Sequence, residues 1–159
     1  MLNIDFDTFE NLFNNHWCDW DGVDGNQCFD LANFYSFAIG SQSFTGATAD
    51  LIYNQTQNGF YTQIPNSPSN FPVKGDIIVL NWPHVGIATG NNTDANQFEI
   101  FQQNDPVGSN CHIKLYPNYD GVIGWLHPVT IPQNLQQELN QCRIDRDAHW
   151  NDLQAQKAL

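Results

Sequence analysis

Apolar residues recur at helical spacing near the N-terminus and at strand spacing from residue 76 onward. Phe6, Phe9, Leu12 and Phe13 lie three or four apart, which predicts a short helix over residues 5–15 with Asp5 or Asp7 as its cap. Residues 18–27 are dominated by Asp, Gly and Asn and read as a loop. The run from Cys28 to Ile39 predicts a second helix, stopped by Gly40. A third, short helix is expected over residues 48–58, ended by Asn58-Gly59. Residues 62–72 hold Pro65, Pro68 and Pro72 and read as loop.

Strand patterns follow. Asp76 to Asn81, His84 to Thr89 and Phe98 to Asn104 are expected strands, with Asn91-Asn92-Thr93-Asp94 turning the chain between the last two. Ile113 to Tyr116 and Val122 to Leu126 complete a small, mostly antiparallel sheet. Helices first and strands after indicate an α+β domain, with N-terminal helices packed on the sheet. Residues 1–130 form this expected domain. Residues 131–159 are a tail in which 133–158 read as a polar helix with a narrow apolar stripe of Leu135, Leu139, Cys142, Trp150 and Leu153. Such a stripe suits packing on the domain edge, self-association with another copy, or a link to a further domain.

Charge narrows the partners. The 159 residues carry 17 acids against 5 Lys and Arg, a formal charge of −12. Nucleic acid is not expected as a partner, because phosphate binding needs clustered cations. Neither is an anionic membrane surface, and no apolar run reaches spanning length. The first residues lack the basic and apolar regions of a secretory signal, so synthesis in the cytoplasm is expected. With 41% hydrophobic residues, including 11 Phe, 5 Trp and 5 Tyr, the chain has the means to bury a core. Cys18, Cys28, Cys111 and Cys142 have no CxxC spacing, so neither a zinc site nor a disulfide framework is expected.

The candidate chemistry lies in and beside the acidic loop. Cys28 opens the second helix, where the macrodipole favours a thiolate. A catalytic cysteine needs a base brought near by the fold. Among His16, His84, His112, His127 and His149, the best candidate is His84, which begins a strand in Pro83-His84-Val85-Gly86. His112 and His127, near strand ends, read as ordinary surface residues. With Asp19 as position 1, Asp21 is 3, Val23 is 5, Gly25 is 7 and Asp30 is 12, the ligand spacing of an EF-hand loop. Asp19, Asp21 and Asp30 would bring carboxylates to calcium, and Val23 and Gly25 backbone oxygens. Position 5 lacks a side-chain ligand, position 6 is Asp24 where Gly is usual, and position 12 is Asp where Glu is usual.

Four blocks together resemble the CHAP family, the cysteine, histidine-dependent amidohydrolases/peptidases. They are Gly25-Asn26-Gln27-Cys28-Phe29-Asp30, Pro72-Val73-Lys74-Gly75-Asp76-Ile77-Ile78-Val79, His84-Val85-Gly86-Ile87 and Gln102-Gln103-Asn104. Gly124-Trp125-Leu126-His127-Pro128 is similar to that family's final strand. The resemblance implies a papain-like α+β fold and cleavage of bacterial peptidoglycan, as in phage endolysins and virion-associated lysins. It implies Cys28 as nucleophile and His84 as base, with Gln102 and Asn104 at the orienting positions. Family members commonly carry Glu where Gln102 stands; an amide can hold an imidazole but brings no full charge. Glu99 is no substitute, since strand alternation sets Ile100, Gln102 and Asn104 on one face and Glu99, Phe101 and Gln103 on the other. The backbone N–H of Cys28 and the Gln27 side chain are expected to hold the oxyanion. The acids of the loop resemble those of calcium-binding CHAP domains.

The resulting expectation is an endopeptidase or N-acetylmuramoyl-L-alanine amidase with calcium as cofactor, acting on Gram-positive walls after holin-type release or from the virion. A separate wall-binding domain is expected to target so acidic a chain. Two alternatives stay open: a calcium-binding structural or wall-binding module of a virion with weak catalysis, and a cysteine protease acting on proteins.

Overall fold

The computed structural model describes residues 4–46 and 48–129; the expected tail helix lies outside them. Helix α1 spans Phe6–Phe13 and is capped by Asp5, whose carboxylate accepts the Thr8 N–H at 2.8 Å. Helix α2 spans Cys28–Ala38, and the chain leaves it through Gly40 in a left-handed conformation (φ 94°). The third expected helix is a single 3₁₀ segment, Ala49–Asn54.

Six strands form one antiparallel sheet in the order β1-β6-β2-β3-β4-β5. They are β1 Tyr61–Pro65, β2 Ile77–Leu80, β3 His84–Ala88, β4 Phe98–Gln102, β5 His112–Tyr116 and β6 Val122–Pro128. The architecture is therefore α+β, as expected. Strand β1 corrects the reading of residues 62–72 as loop. It lies at the sheet edge with Pro65 as its last residue, where the missing N–H breaks no interior ladder.

Both faces of the central strands are buried, which is why β2 reads as an unbroken apolar run. On the helix side, Ile77, Val79, Val85, Ile87, Phe101 and Leu126 pack with Phe6, Phe9, Leu31 and Tyr35. The other face buries Ile78, Leu80, Ala88, Phe98, Ile100, Tyr116 and Trp125. By strand alternation, His84 shares its face with Ala88, and Gln102 with Ile100. Gly86 lets β3 approach β4 closely: an added Cβ would sit 2.7 Å from Ile100 Cδ1 and 3.0 Å from the Phe101 carbonyl oxygen.

Candidate active site

Cys28 is the first residue of α2 and only 7% exposed. Its thiol donates to the Pro83 carbonyl at 3.9 Å, and the Val85 backbone also acts on it. The sulfur thus meets the chain on either side of His84. Burial pushes the thiol up, against the Val85, Phe29 and Cys28 backbone groups that favour the thiolate. At this helix start burial is the largest influence and favours the thiol form.

His84 is 5% exposed at the start of β3, and burial holds its imidazole below the usual histidine range. Its Nε2 lies 2.6 Å from Gln102 Oε1. The orientation of the Gln102 amide follows from its other partners. Gln102 Nε2 donates to the Asp105 carbonyl at 2.8 Å and faces His112 Nε2 at 3.4 Å. His112 Nδ1 lies 2.7 Å from the Asn110 carbonyl, so that nitrogen carries the ring proton and Nε2 accepts. Gln102 Oε1 therefore faces His84 and accepts its Nε2–H, together with the Tyr116 hydroxyl at 2.9 Å. This tautomer leaves Nδ1 as the basic nitrogen, with no hydrogen-bond partner among the described residues. No hydrogen bond joins Cys28 to His84.

The other expected residues take different places. Asn104, with φ 64°, turns off the end of β4 and does not reach the imidazole; its Nδ2 donates to Gln27 Oε1 at 3.1 Å. Gln27 caps α2. Its N–H donates to Asp30 Oδ2 at 2.7 Å, and one side-chain amide hydrogen goes to the Asp24 carbonyl at 2.7 Å. Its second amide hydrogen is uncommitted among the described residues. Glu99 faces elsewhere, as expected, accepting from Thr89 and Asn92.

Two residues that sequence reading treated as peripheral belong to this region. His112 completes the polar shell of Gln102. Gln103, fully buried, accepts the Cys18 N–H at 3.1 Å and donates to the Cys18 carbonyl at 2.8 Å and the Gln27 carbonyl at 2.5 Å. It ties both ends of the acidic loop to β4. Its Oε1 also takes the buried thiols of Cys18 and Cys111, each at 3.2 Å. His127 pairs with buried Asp76 at 2.6 Å, a structural contact within the sheet.

The loop brings Asp19, Asp21 and Asp30 together, with carboxylate oxygens within 4.8 Å of one another. Burial, then the charges of Asp21 and Asp19, raise the Asp30 carboxyl against the N–H groups of Gln27 and Trp20. None of the ion pairs among the described residues involves these three acids. Three converging hard oxygen donors, in no ion pair among the described residues, fit a cation such as calcium. Of Val23 and Gly25, the structure shows positions in the same loop, Gly25 left-handed at φ 70°.

Neither a family model nor a curated protein matches this chain. Among solved structures, the crystal structure of the wild type endolysin LysIME-EF1 is similar in fold, with a TM-score of 0.67 and 24% sequence identity. The similarity covers 79% of this chain, which spans 64% of that one.

Proposed function

We propose that this chain carries a CHAP-type, papain-like catalytic domain. It cleaves a peptide or amide bond of bacterial peptidoglycan, as an endopeptidase or N-acetylmuramoyl-L-alanine amidase of a phage endolysin or virion-associated lysin. The observation that carries this reading is the placement of the Cys28 thiol at a helix N-terminus, against the start of β3, where Gln102 fixes His84 with Nδ1 as base. The fold likeness to an endolysin supports the choice of substrate.

The chemistry runs from neutral partners. His84 Nδ1 takes the thiol proton as Cys28 Sγ attacks the carbonyl carbon; the C–S bond forms and the carbonyl π pair moves to oxygen. The Cys28 N–H and the free amide hydrogen of Gln27, at the positive end of α2, stabilise that oxyanion. As the C–N bond breaks, the imidazolium gives its proton to the leaving amine. Water, deprotonated by His84, then attacks the thioester, releasing a carboxylic acid and the Cys28 thiol.

In this reading Asp19, Asp21 and Asp30, with the backbone oxygens of Val23 and Gly25, hold calcium. The ion would supply charge compensation that orders the loop leading into Cys28. Turbidity clearing of Gram-positive cells tests the assignment. Wild type lyses them, EDTA suppresses lysis and calcium restores it. Cys28→Ala loses lysis with an unchanged circular dichroism spectrum; wild-type clearing by that variant would sink the assignment.

A further inference from the structure

A base that takes a thiol proton becomes imidazolium, and a nearby carboxylate is what ordinarily favours that form. Gln102 cannot bring the charge. Three residues later the chain holds Asp105, on the loop after β4. Its carbonyl receives Gln102 Nε2 at 2.8 Å. Its carboxylate Oδ2 receives the Tyr116 hydroxyl at 2.8 Å and Lys114 Nζ at 2.7 Å. That hydroxyl has one proton, which it shares in a three-centre bond between Asp105 and Gln102 Oε1, 2.9 Å away, the oxygen that holds His84.

We propose that Asp105 is the charged partner of His84, a positioning residue that acts through Tyr116 and Gln102 and replaces the carboxylate absent from position 102. This rests on the reading of His84 as the base. One hydroxyl separates the carboxylate from the oxygen on the ring. The amide at 102 and the acid at 105 are a matched pair: a glutamate at 102 would set an oxygen against the Asp105 carbonyl and a second negative charge beside its carboxylate.

The electrostatics agree with this geometry. Partial burial opposes the charge on Asp105, yet Lys114 and Tyr116 hold its carboxyl below the usual range, so it is ionised at neutral pH. Burial and the Asp105 charge raise the Tyr116 hydroxyl, which stays protonated. At His84, burial disfavours the imidazolium; the Gln102 bond and then the Asp105 charge favour it, and Lys114 and His112 oppose it. The groups that act on the ring are thus Gln102 from β4, Asp105 from the following loop, and His112 and Lys114 from β5, with Tyr116 of β5 bonded to Gln102.

The test is an NMR titration of the His84 ring in the full chain, with His84→Gln used to assign the resonance. Asp105→Asn keeps the backbone carbonyl and an acceptor for Tyr116 but removes the charge. It should lower the His84 pKa by about one unit. Lys114→Gln should raise it, because the field of Asp105 is then uncompensated. High salt should shrink both shifts, since the Lys114 and Asp105 side chains are 37% and 33% exposed. A merely structural role does not produce shifts of opposite sign. An unchanged titration in Asp105→Asn, or shifts of the same sign in both variants, overturns the proposal. If Asp105→Asn does not fold, Asp105→Ser decides by the same titration: a lowered pKa supports the proposal, and an unchanged or raised one overturns it. On peptidoglycan, Asp105→Asn should cut kcat about tenfold at nearly constant KM, the rate equivalent of one pKa unit. Failure of the wild type to cleave peptidoglycan would remove the functional reading and leave the titration result standing.

Discussion

At the scale of single residues, three consecutive side chains at the end of β4 divide the labour. Gln102 fixes the tautomer of His84, Gln103 ties down the acidic loop, and Asn104 holds Gln27. Cys28, His84 and Gln102 are the residues the sequence singles out; the structure bonds His84 to Gln102 and sets the Cys28 thiol at the Pro83 carbonyl. The sequence did not reveal the tasks of Gln103, His112 or Asp105. Strand alternation placed Gln103 on the far face, correctly, but could not show that Cys18 and Gln27 wait there. Past Gln102 the alternation ends, because Asn104 is left-handed, and no period in the sequence then says where a side chain points. Gln103→Ala leaves the buried Cys18 and half-buried Gln27 backbone groups without these partners. It should cost about 3 kcal/mol of stability in urea denaturation and weaken calcium binding in calorimetry. The titration of His84 gives a second outcome. Only neutral imidazole can take the thiol proton, and burial lowers its pKa below the usual 6.5. Activity should therefore persist below pH 6.5 and fall as pH drops further through the folded-state pKa, a limb visible in kcat/KM against pH.

At the scale of elements, the site depends on the seam between β3 and β4. Their ladder pairs Ile87 with Phe101 and Ala88 with Ile100, and beyond it the His84–Gln102 side-chain bond joins the strands. Gly86 lies next to the ladder, two residues from His84. Gly86→Ala forces a methyl against the Phe101 carbonyl and Ile100, and should cost about 1–3 kcal/mol by overpacking. Its kcat should fall more than that of an equally destabilised variant elsewhere in the core, such as Ile52→Val, when both are assayed well below their melting temperatures. Helices α1 and α2 and five of the strands were legible from their runs of apolar residues. Strand β1 was not, because Pro65 and the prolines that follow it argue against a strand, and only the edge position makes Pro65 tolerable.

At the scale of the whole molecule, a net charge of −12 is a standing repulsion that calcium would relieve at the Asp19, Asp21 and Asp30 cluster. The EF-hand spacing made that cluster readable from sequence. Calcium at a hundred times its Kd should stabilise the fold by about 2.7 kcal/mol, seen as a raised Tm. Asp19→Asn with Asp21→Asn should abolish the rise while raising the Tm of the calcium-free protein through lost repulsion. Absence of any calcium effect on Tm or in calorimetry at millimolar concentration would remove the metal from the account.

The central claim is that Cys28 and His84 hydrolyse a wall bond together, and mass spectrometry of purified peptidoglycan after digestion tests it most directly. Wild type should release fragments with new amine and carboxyl ends at one defined bond, and Cys28→Ala and His84→Ala should each release none. The same fragments from either variant, or none from the calcium-loaded wild type, would contradict it.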